Sequence, residues 1–308
     1  LATATLAVGG TLGILIPPSV PLVVYAILTE QNIAKLFMAA LVPGIIAAVG
    51  YCVVIFIVTA IRPQDGPAQP KQTSTARRQA FVAIWPIAVV FALVFGGIYG
   101  GVFTPTEGAA VGAVGTFLTA LLKRELDLRA IGRAFLGTAT TTGMIFMVFL
   151  GADMLNGALA LSQMPAQLAE WVTHLGWPPL AIAGAVIALY IVMGFFMDEL
   201  ATVILTIPVI FPAIMGLDLW GLDYSEKAIW FGILMLMVVQ IGLVHPPVGL
   251  NIYVINSLAR DVPMMETFKG VIPFLISDFL RVILLFYLMP VWAVLLARAL
   301  LHEPITRG

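Results

Sequence analysis

The sequence is poor in charge. Charged residues make up 10% of the 308, hydrophobic residues make up 61%, and the mean hydropathy is +1.07. A soluble domain carries about a quarter charged residues to keep its surface solvated, so most of this surface must face lipid or lie buried in protein. The formal net charge of −1 offers nothing to nucleic acid as a partner. A single cysteine, Cys52, excludes an intramolecular disulfide framework, and its place in an apolar run predicts a small buried side chain. The histidines His174, His245 and His302 are scattered, and neither an H-E-x-x-H nor a nucleotide-binding P-loop occurs. Metalloprotease chemistry and direct drive by ATP therefore lack their motifs. The chain opens on Leu1 in mid-pattern without a signal-peptide pattern, and the expectation is that it begins part-way through a longer protein.

What the sequence has is long apolar runs. Crossing roughly 30 Å of hydrocarbon takes about 20 apolar residues. Candidates lie near 11–29, 37–61, 81–101, 106–122, 134–153, 179–216, 228–258 and 271–299. The 179–216 stretch is too long for one helix and carries Asp198 and Glu199 at its centre. The 11–29 and 228–258 stretches are each cut by a Pro-Pro pair, Pro17-Pro18 and Pro246-Pro247. Lys and Arg in short loops mark the cytoplasmic side. Arg62, Lys71, Arg77 and Arg78 lie in 62–80, and Lys123, Arg124, Arg129 and Arg133 in 123–133. A re-entrant hairpin over 179–216, entering and leaving on the outer side, brings Arg260 and Lys269 inside as well. The same topology leaves the acid-rich loops (Asp153 and Glu170; Asp218, Asp223 and Glu226) and the C-terminus outside. The Pro-rich start of 62–80 reads as a cytoplasmic linker between two halves, 1–61 and 81–308.

The halves repeat each other. Residues 12–27, LGILIPPSVPLVVYAI, resemble 241–256, IGLVHPPVGLNIYVIN, with Gly13 matching Gly242, Pro17 matching Pro246 and Pro18 matching Pro247. Each copy continues through a short charged loop into a long span opening at Val42-Pro43 or Ile272-Pro273. By the topology above the two copies run in opposite directions, which makes an inverted repeat. A Pro inside a helix removes one N–H and clashes with the carbonyl one turn back, so two in succession unwind the helix. In lipid, freed backbone groups are tolerated only where they line a cavity or are buried in protein. Half-helix ends then offer carbonyls to a cation and N–H groups to an anion, and Gly13, Gly242 and Gly249 allow close approach of backbone to a ligand.

At these residues a family becomes recognisable. GGTLGILIPPSVPLVVYAILTE, then GFFMDELATVILTIPVIFP and QIGLVHPPVGLNIYVIN, resemble in order and spacing the large membrane subunit of tripartite ATP-independent periplasmic (TRAP) transporters. The resemblance spans nearly the whole chain and corresponds to the C-terminal two-thirds of that subunit, the first hairpin lying upstream of Leu1. It implies an all-α polytopic fold of ion-transporter-superfamily elevator type, with inverted repeats, broken helices and a re-entrant hairpin. It implies a multi-pass protein of the bacterial inner membrane, and the charge bias above puts its C-terminus in the periplasm. It also implies sodium-coupled uptake of an organic acid, such as a C4-dicarboxylate or sialic acid, handed over by a periplasmic binding protein, with a small four-helix membrane subunit as partner. His245 stands where the family pattern more often has Thr.

On this reading Gly13, Pro17, Pro18, Ser19, Asp198, His245, Pro246 and Gly249 are the candidate sodium-binding positions, and Ser19, Asp198 and Asn251 the candidate substrate-binding ones. Asp198 at a hairpin tip either helps to hold sodium or caps a helix; Glu199 reads as a local cap. Ser19 either ligates an ion or carboxylate or bonds back to its own helix. The Asn251 amide offers donor and acceptor to a cavity wall. His245 is expected to make a satisfied hydrogen bond at the break. Asp278 and Arg281, three apart on the last span, are expected to neutralise each other. Thr138, Thr140, Thr141 and Thr142 read as helix-packing groups, and Asp153 and Asn156 either line the substrate path or, as preferred, cap a helix at a break. Trp85, Trp171, Trp177, Trp220 and Trp230 read as interfacial anchors. A stand-alone sodium-coupled carboxylate carrier shares this architecture. An ion channel also uses broken helices, but inverted repeats suit alternating access.

Overall fold

A computed structural model describes residues 1–67, 73–124, 126–246 and 249–300. Among them the chain is all α: twelve helices and a single 3-10 turn, Pro63–Asp65. Six helical stretches are long and apolar enough to cross a membrane: Ala2–Thr29, Ile33–Ile61, Ser74–Tyr99, Leu128–Leu161, Tyr224–Gly242 and Met264–Leu288. The helices gather into two units, one comprising 1–67 with the residues from Leu150 onward, the other 68–149.

The first unit is organised around two helix-break-helix-helix sets. Helices α1 (Ala2–Leu15), α2 (Val20–Thr29) and α3 (Ile33–Ile61) form one, and α10 (Tyr224–Gly242), α11 (Leu250–Leu258) and α12 (Met264–Leu300) the other. Each break falls on a Pro-Pro pair, as the sequence predicts; Pro247 itself lies outside the described residues. The α10 helix is the centre of the unit, with every residue from Ala228 to Gly242 buried. A helix apolar all round has no face to offer water and belongs in the interior. Tyr25 of α2 locks onto it: its hydroxyl donates to the Ala228 carbonyl at 2.6 Å. Gly232 makes room for the ring, since a Cβ there would stand 2.3 Å from the Tyr25 Cε1. Trp230 is fully buried on α10, edge-on to Trp220, so it is a core residue rather than the interfacial anchor expected from its place near a span end.

The 179–216 stretch is two helices, α8 (Pro179–Gly194) and α9 (Glu199–Met215), joined by residues 195–198. The polar pair Asp198-Glu199 sits at that turn, because Asp198 is the N-cap that starts α9. The C-terminal end of α9 is closed by Lys227, whose ammonium donates to the carbonyls of Met215 and Leu217 at 2.9 and 2.6 Å. A cation there answers the orphan carbonyls and the negative end of the helix dipole.

Several local expectations are corrected. The α6 helix (Leu128–Leu161) runs without interruption through Asp153 and Asn156, which therefore cap nothing; the two flanking glycines do not outweigh long runs of helix formers. The amphipathic α7 (Met164–His174) occupies what looked like loop. The α4 helix (Ser74–Tyr99) starts inside the expected linker 62–80, capped by the Thr73 hydroxyl on the Ala76 N–H at 3.3 Å. Cys52 is exposed on α3, not buried. Thr138 and Thr140 bond back to the Ala134 and Leu136 carbonyls and are exposed, bonding to no second helix among the described residues.

In the second unit, α4 packs against α5 (Pro105–Leu122) through a stripe of small residues. Cβ atoms added at Gly108, Gly112 and Gly115 would lie 2.7, 3.3 and 3.1 Å from Ile98, Val94 and Val90. Small residues at this spacing let two helix backbones close together where no water drives the packing. A capping box, Thr104 with Glu107, starts α5.

Candidate functional site

The two breaks handle their freed carbonyls differently. At the first, the positions four residues after Gly13 and Ile14 are Pro17 and Pro18, which carry no N–H, so neither carbonyl has its helical donor. Ser19 answers one of them: its hydroxyl donates to the Ile14 carbonyl and accepts the Leu22 N–H at 3.4 Å, capping α2. Ser19 and Pro17 are buried, while Pro18 and Gly13 are exposed. The Ser19 hydroxyl is thus bonded within its own break, the local role weighed from the sequence.

At the second break, the Gly242 carbonyl accepts the His245 N–H at 3.3 Å, and the Leu243 carbonyl accepts the Asn251 N–H at 3.0 Å. Gly249 takes up a left-handed conformation (φ 56°, ψ 59°) as the residue ahead of α11, which glycine adopts without a Cβ penalty. It is buried, whereas Pro246 is exposed. The His245 ring stacks on Phe195 at 4.2 Å between centroids, and its Nδ1 meets the Pro246 carbonyl.

A cavity of about 40 Å³ opens where the α8–α9 turn meets the second break. Asp198, Phe195 and Met197 line it from the turn, Gly242, Leu243 and Leu250 from the break. That volume exceeds the roughly 10–15 Å³ one water needs. Asp198 is exposed rather than sunk in apolar surroundings, and its Oδ2 accepts the Ala201 N–H at 3.1 Å. Asp198 is the acidic residue among the described residues that line the cavity.

Of the sequence-predicted residues, Asp198 and Gly242 share this cavity, and His245 reaches it through Phe195. Gly13, Pro17, Pro18 and Ser19 do not line it. Asn251 turns the other way: its Nδ2 donates to the Ala7 carbonyl of α1 at 3.2 Å, bracing α11 against the first set. Gly242 also packs backbone to backbone. It touches Gly194 of α8, where a Cβ would fall 1.8 Å from the Gly194 carbonyl oxygen.

Two features escape the sequence reading. Along α9, Thr202 donates to the Asp198 carbonyl at 2.8 Å, Thr206 to the Thr202 carbonyl at 2.6 Å, and the Thr206 hydroxyl meets that of Tyr190 at 2.7 Å. The 198-202-206 spacing, one helical turn apiece, was the available signal. The second is a buried cluster around Asp278 and Arg281, whose predicted pairing is formed at 2.9 Å with both side chains inside the protein.

Comparison with known proteins gives a consistent result. The family model described as "Tripartite ATP-independent periplasmic transporter, DctM component" matches residues 1–291. The chain is 35% identical over 285 residues to the C4-dicarboxylate TRAP transporter large permease protein DctM of Pseudomonas aeruginosa, covering 91% of the chain and 63% of that protein. It is 27% identical over 272 residues to the sialic acid TRAP transporter large permease protein SiaM of Vibrio cholerae (87% and 61%). It is 29% identical over 285 residues to the isethionate TRAP transporter permease protein DctMQ of Oleidesulfovibrio alaskensis (92% and 43%). The chain thus spans less than two thirds of the length of each.

Proposed function

The chain belongs to the DctM component family of tripartite ATP-independent periplasmic transporters, and on that footing we propose that it is the translocating portion of a sodium-coupled importer of organic acids. The parent protein lies in the bacterial inner membrane with its C-terminus in the periplasm. It works with a small four-helix membrane subunit and receives its substrate from a periplasmic binding protein. The named substrates of the relatives, C4-dicarboxylates, sialic acid and isethionate, are all organic anions. The chemistry asked of this chain is therefore to hold an anion and a cation together near mid-membrane.

One observation carries the reading: two Pro-Pro helix breaks at matching positions of a repeat, the second opening on a cavity that holds the Asp198 carboxylate. Broken helices of this kind put carbonyl ends toward a cation and N-terminal ends toward an anion. Sodium binds at the breaks among Gly13, Pro17, Pro18 and Ser19 on one side and Asp198, His245, Pro246 and Gly249 on the other, largely through backbone carbonyls. Substrate sits against the α8–α9 hairpin, which re-enters the membrane from the periplasmic side. The transport step on this reading is an elevator motion, as the resemblance to TRAP transporters implies.

The test is uptake. The full-length parent protein and its small subunit are reconstituted in proteoliposomes and offered radiolabelled organic acids, with and without an inward sodium gradient and the cognate binding protein. Uptake that needs both supports the reading. Uptake that needs sodium alone makes this a stand-alone carrier, and uptake that needs neither rejects sodium coupling.

A further inference from the structure

The repeat places two residue pairs in register. The alignment that matches Gly13 with Gly242 also matches Thr11 with Gln240, and the one that matches Pro43 with Pro273 also matches Tyr51 with Arg281. Both matched pairs are in contact. With the Gln240 amide turned so that both its groups are satisfied, its nitrogen donates to the Thr11 carbonyl at 3.1 Å and its oxygen accepts from Arg281 Nη2 at 2.9 Å. The Arg281 guanidinium carbon lies 5.5 Å from the centre of the Tyr51 ring. Equivalent residues of two copies meet each other only beside the axis that relates the copies, as in a two-fold interface. These four residues therefore mark the pseudo-symmetry axis of the two sets.

Asp278 closes the cluster. Its Oδ1 lies 2.9 Å from Arg281 Nη2, and its Oδ2 accepts the Tyr51 hydroxyl at 3.1 Å. The Tyr51 oxygen in turn lies 3.3 Å from the Thr11 hydroxyl, which donates to the Val8 carbonyl at 2.8 Å. No member reaches solvent: Gln240, Thr11, Asp278, Arg281 and Tyr51 are 0, 1, 1, 4 and 5% exposed. Arg281 Nε and Nη1 are buried without a hydrogen-bond partner. The Tyr51 ring face offers them partial compensation, at a place where an apolar filling would avoid the desolvation of two charges altogether.

The position of this cluster says what it can do. Thr11 stands two residues before Gly13 and Gln240 two before Gly242, so both lie on the last turns leading into the breaks. The long helices α3 and α12 supply Tyr51, Asp278 and Arg281. We propose that Thr11, Tyr51, Gln240, Asp278 and Arg281 form a cross-brace on the pseudo-symmetry axis that fixes the ends of α1 and α10 relative to each other and so couples ion binding at one break to ion binding at the other. The five are positioning residues and touch no ion. This inference rests on the sodium reading above. An ion that draws in the end of α1 shifts Thr11, and the brace passes that shift to Gln240 and the end of α10.

The experiment is the sodium dependence of uptake in the complete reconstituted system, comparing wild type with Asp278→Leu/Arg281→Met. Replacing both members of a buried ion pair leaves no lone charge behind, whereas removing one does. The wild type should rise steeply with sodium, with a Hill coefficient above one. The double variant should keep its maximal rate at saturating sodium, lose the steepness, and need about fivefold more sodium for half-maximal uptake, the lower end of common coupling factors. A variant that elutes as the wild type does and reproduces its sodium curve overturns the proposal. If the double variant fails to fold, Tyr51→Phe, which deletes a single hydroxyl oxygen, decides the matter on the same steepness. A wild type insensitive to sodium rejects the underlying reading instead, and does so before any variant is made.

Discussion

Gly194 of α8 and Gly242 of α10 meet backbone to backbone, so closely that a methyl group on Gly242 would stand 1.8 Å from the Gly194 carbonyl oxygen. This contact seats the hairpin turn against the second helix break and closes one side of the cavity that holds Asp198. Because the obstacle is backbone, no rotamer change relieves it. Gly242→Ala is expected to lose at least the ~1–3 kcal/mol typical of overpacking and to abolish uptake. Gly194→Ala, whose Cβ would meet the Val239 oxygen at 3.1 Å, is expected to be milder. Thermal unfolding of the two purified variants checks the order.

Asp198 carries two separable functions, a cap and a charge. The cap bond to the Ala201 N–H survives in Asp198→Asn and is lost in Asp198→Ala, at about 1 kcal/mol. The charge is lost in both. Sodium dependence is expected to weaken equally in the two variants, with only Ala lowering the melting temperature. Normal sodium dependence in Asn would confine Asp198 to the cap.

Much of this was legible in the sequence, because membrane helices announce themselves by long apolar runs and Pro-Pro pairs leave few conformations open. The breaks at Pro17-Pro18 and before Gly249, the hairpin turn at Asp198 and the Asp278–Arg281 pair all fall where the residues place them. What was not legible is which face of a helix meets which neighbour. In spans that are apolar on every face, burial leaves no periodic trace, so the interior of Trp230 and the exposure of Cys52 could not be told apart. Asn251 turned to α1 for the same reason: a polar residue near a break signals a hydrogen bond, not its direction.

Tyr25 ties α2 to α10 by one hydroxyl, donated to the Ala228 carbonyl at 2.6 Å in a fully buried setting. Tyr25→Phe keeps the ring in the space left by Gly232 and removes only that bond. A loss of about 1 kcal/mol is expected, read as a lower unfolding midpoint with uptake retained.

Cys52 is exposed on the apolar α3 helix, so its thiol faces outward from the helices that pack there. In a membrane, a sulfonated, membrane-impermeant maleimide should leave it unlabelled. Cys52→Ser is expected to change stability by no more than about 0.5 kcal/mol. Labelling by the impermeant reagent places the residue in water and contradicts the span over Ile33–Ile61.

If the paired helix breaks bind sodium, as we propose, equilibrium binding of radioactive sodium to the purified full-length parent protein will show it. Binding should saturate in the wild type, weaken in Asp198→Asn, which faces the second break, and weaken in Ser19→Ala at the first. A wild type that binds no sodium, or two variants that bind it as the wild type does, would rule out sodium binding at the breaks.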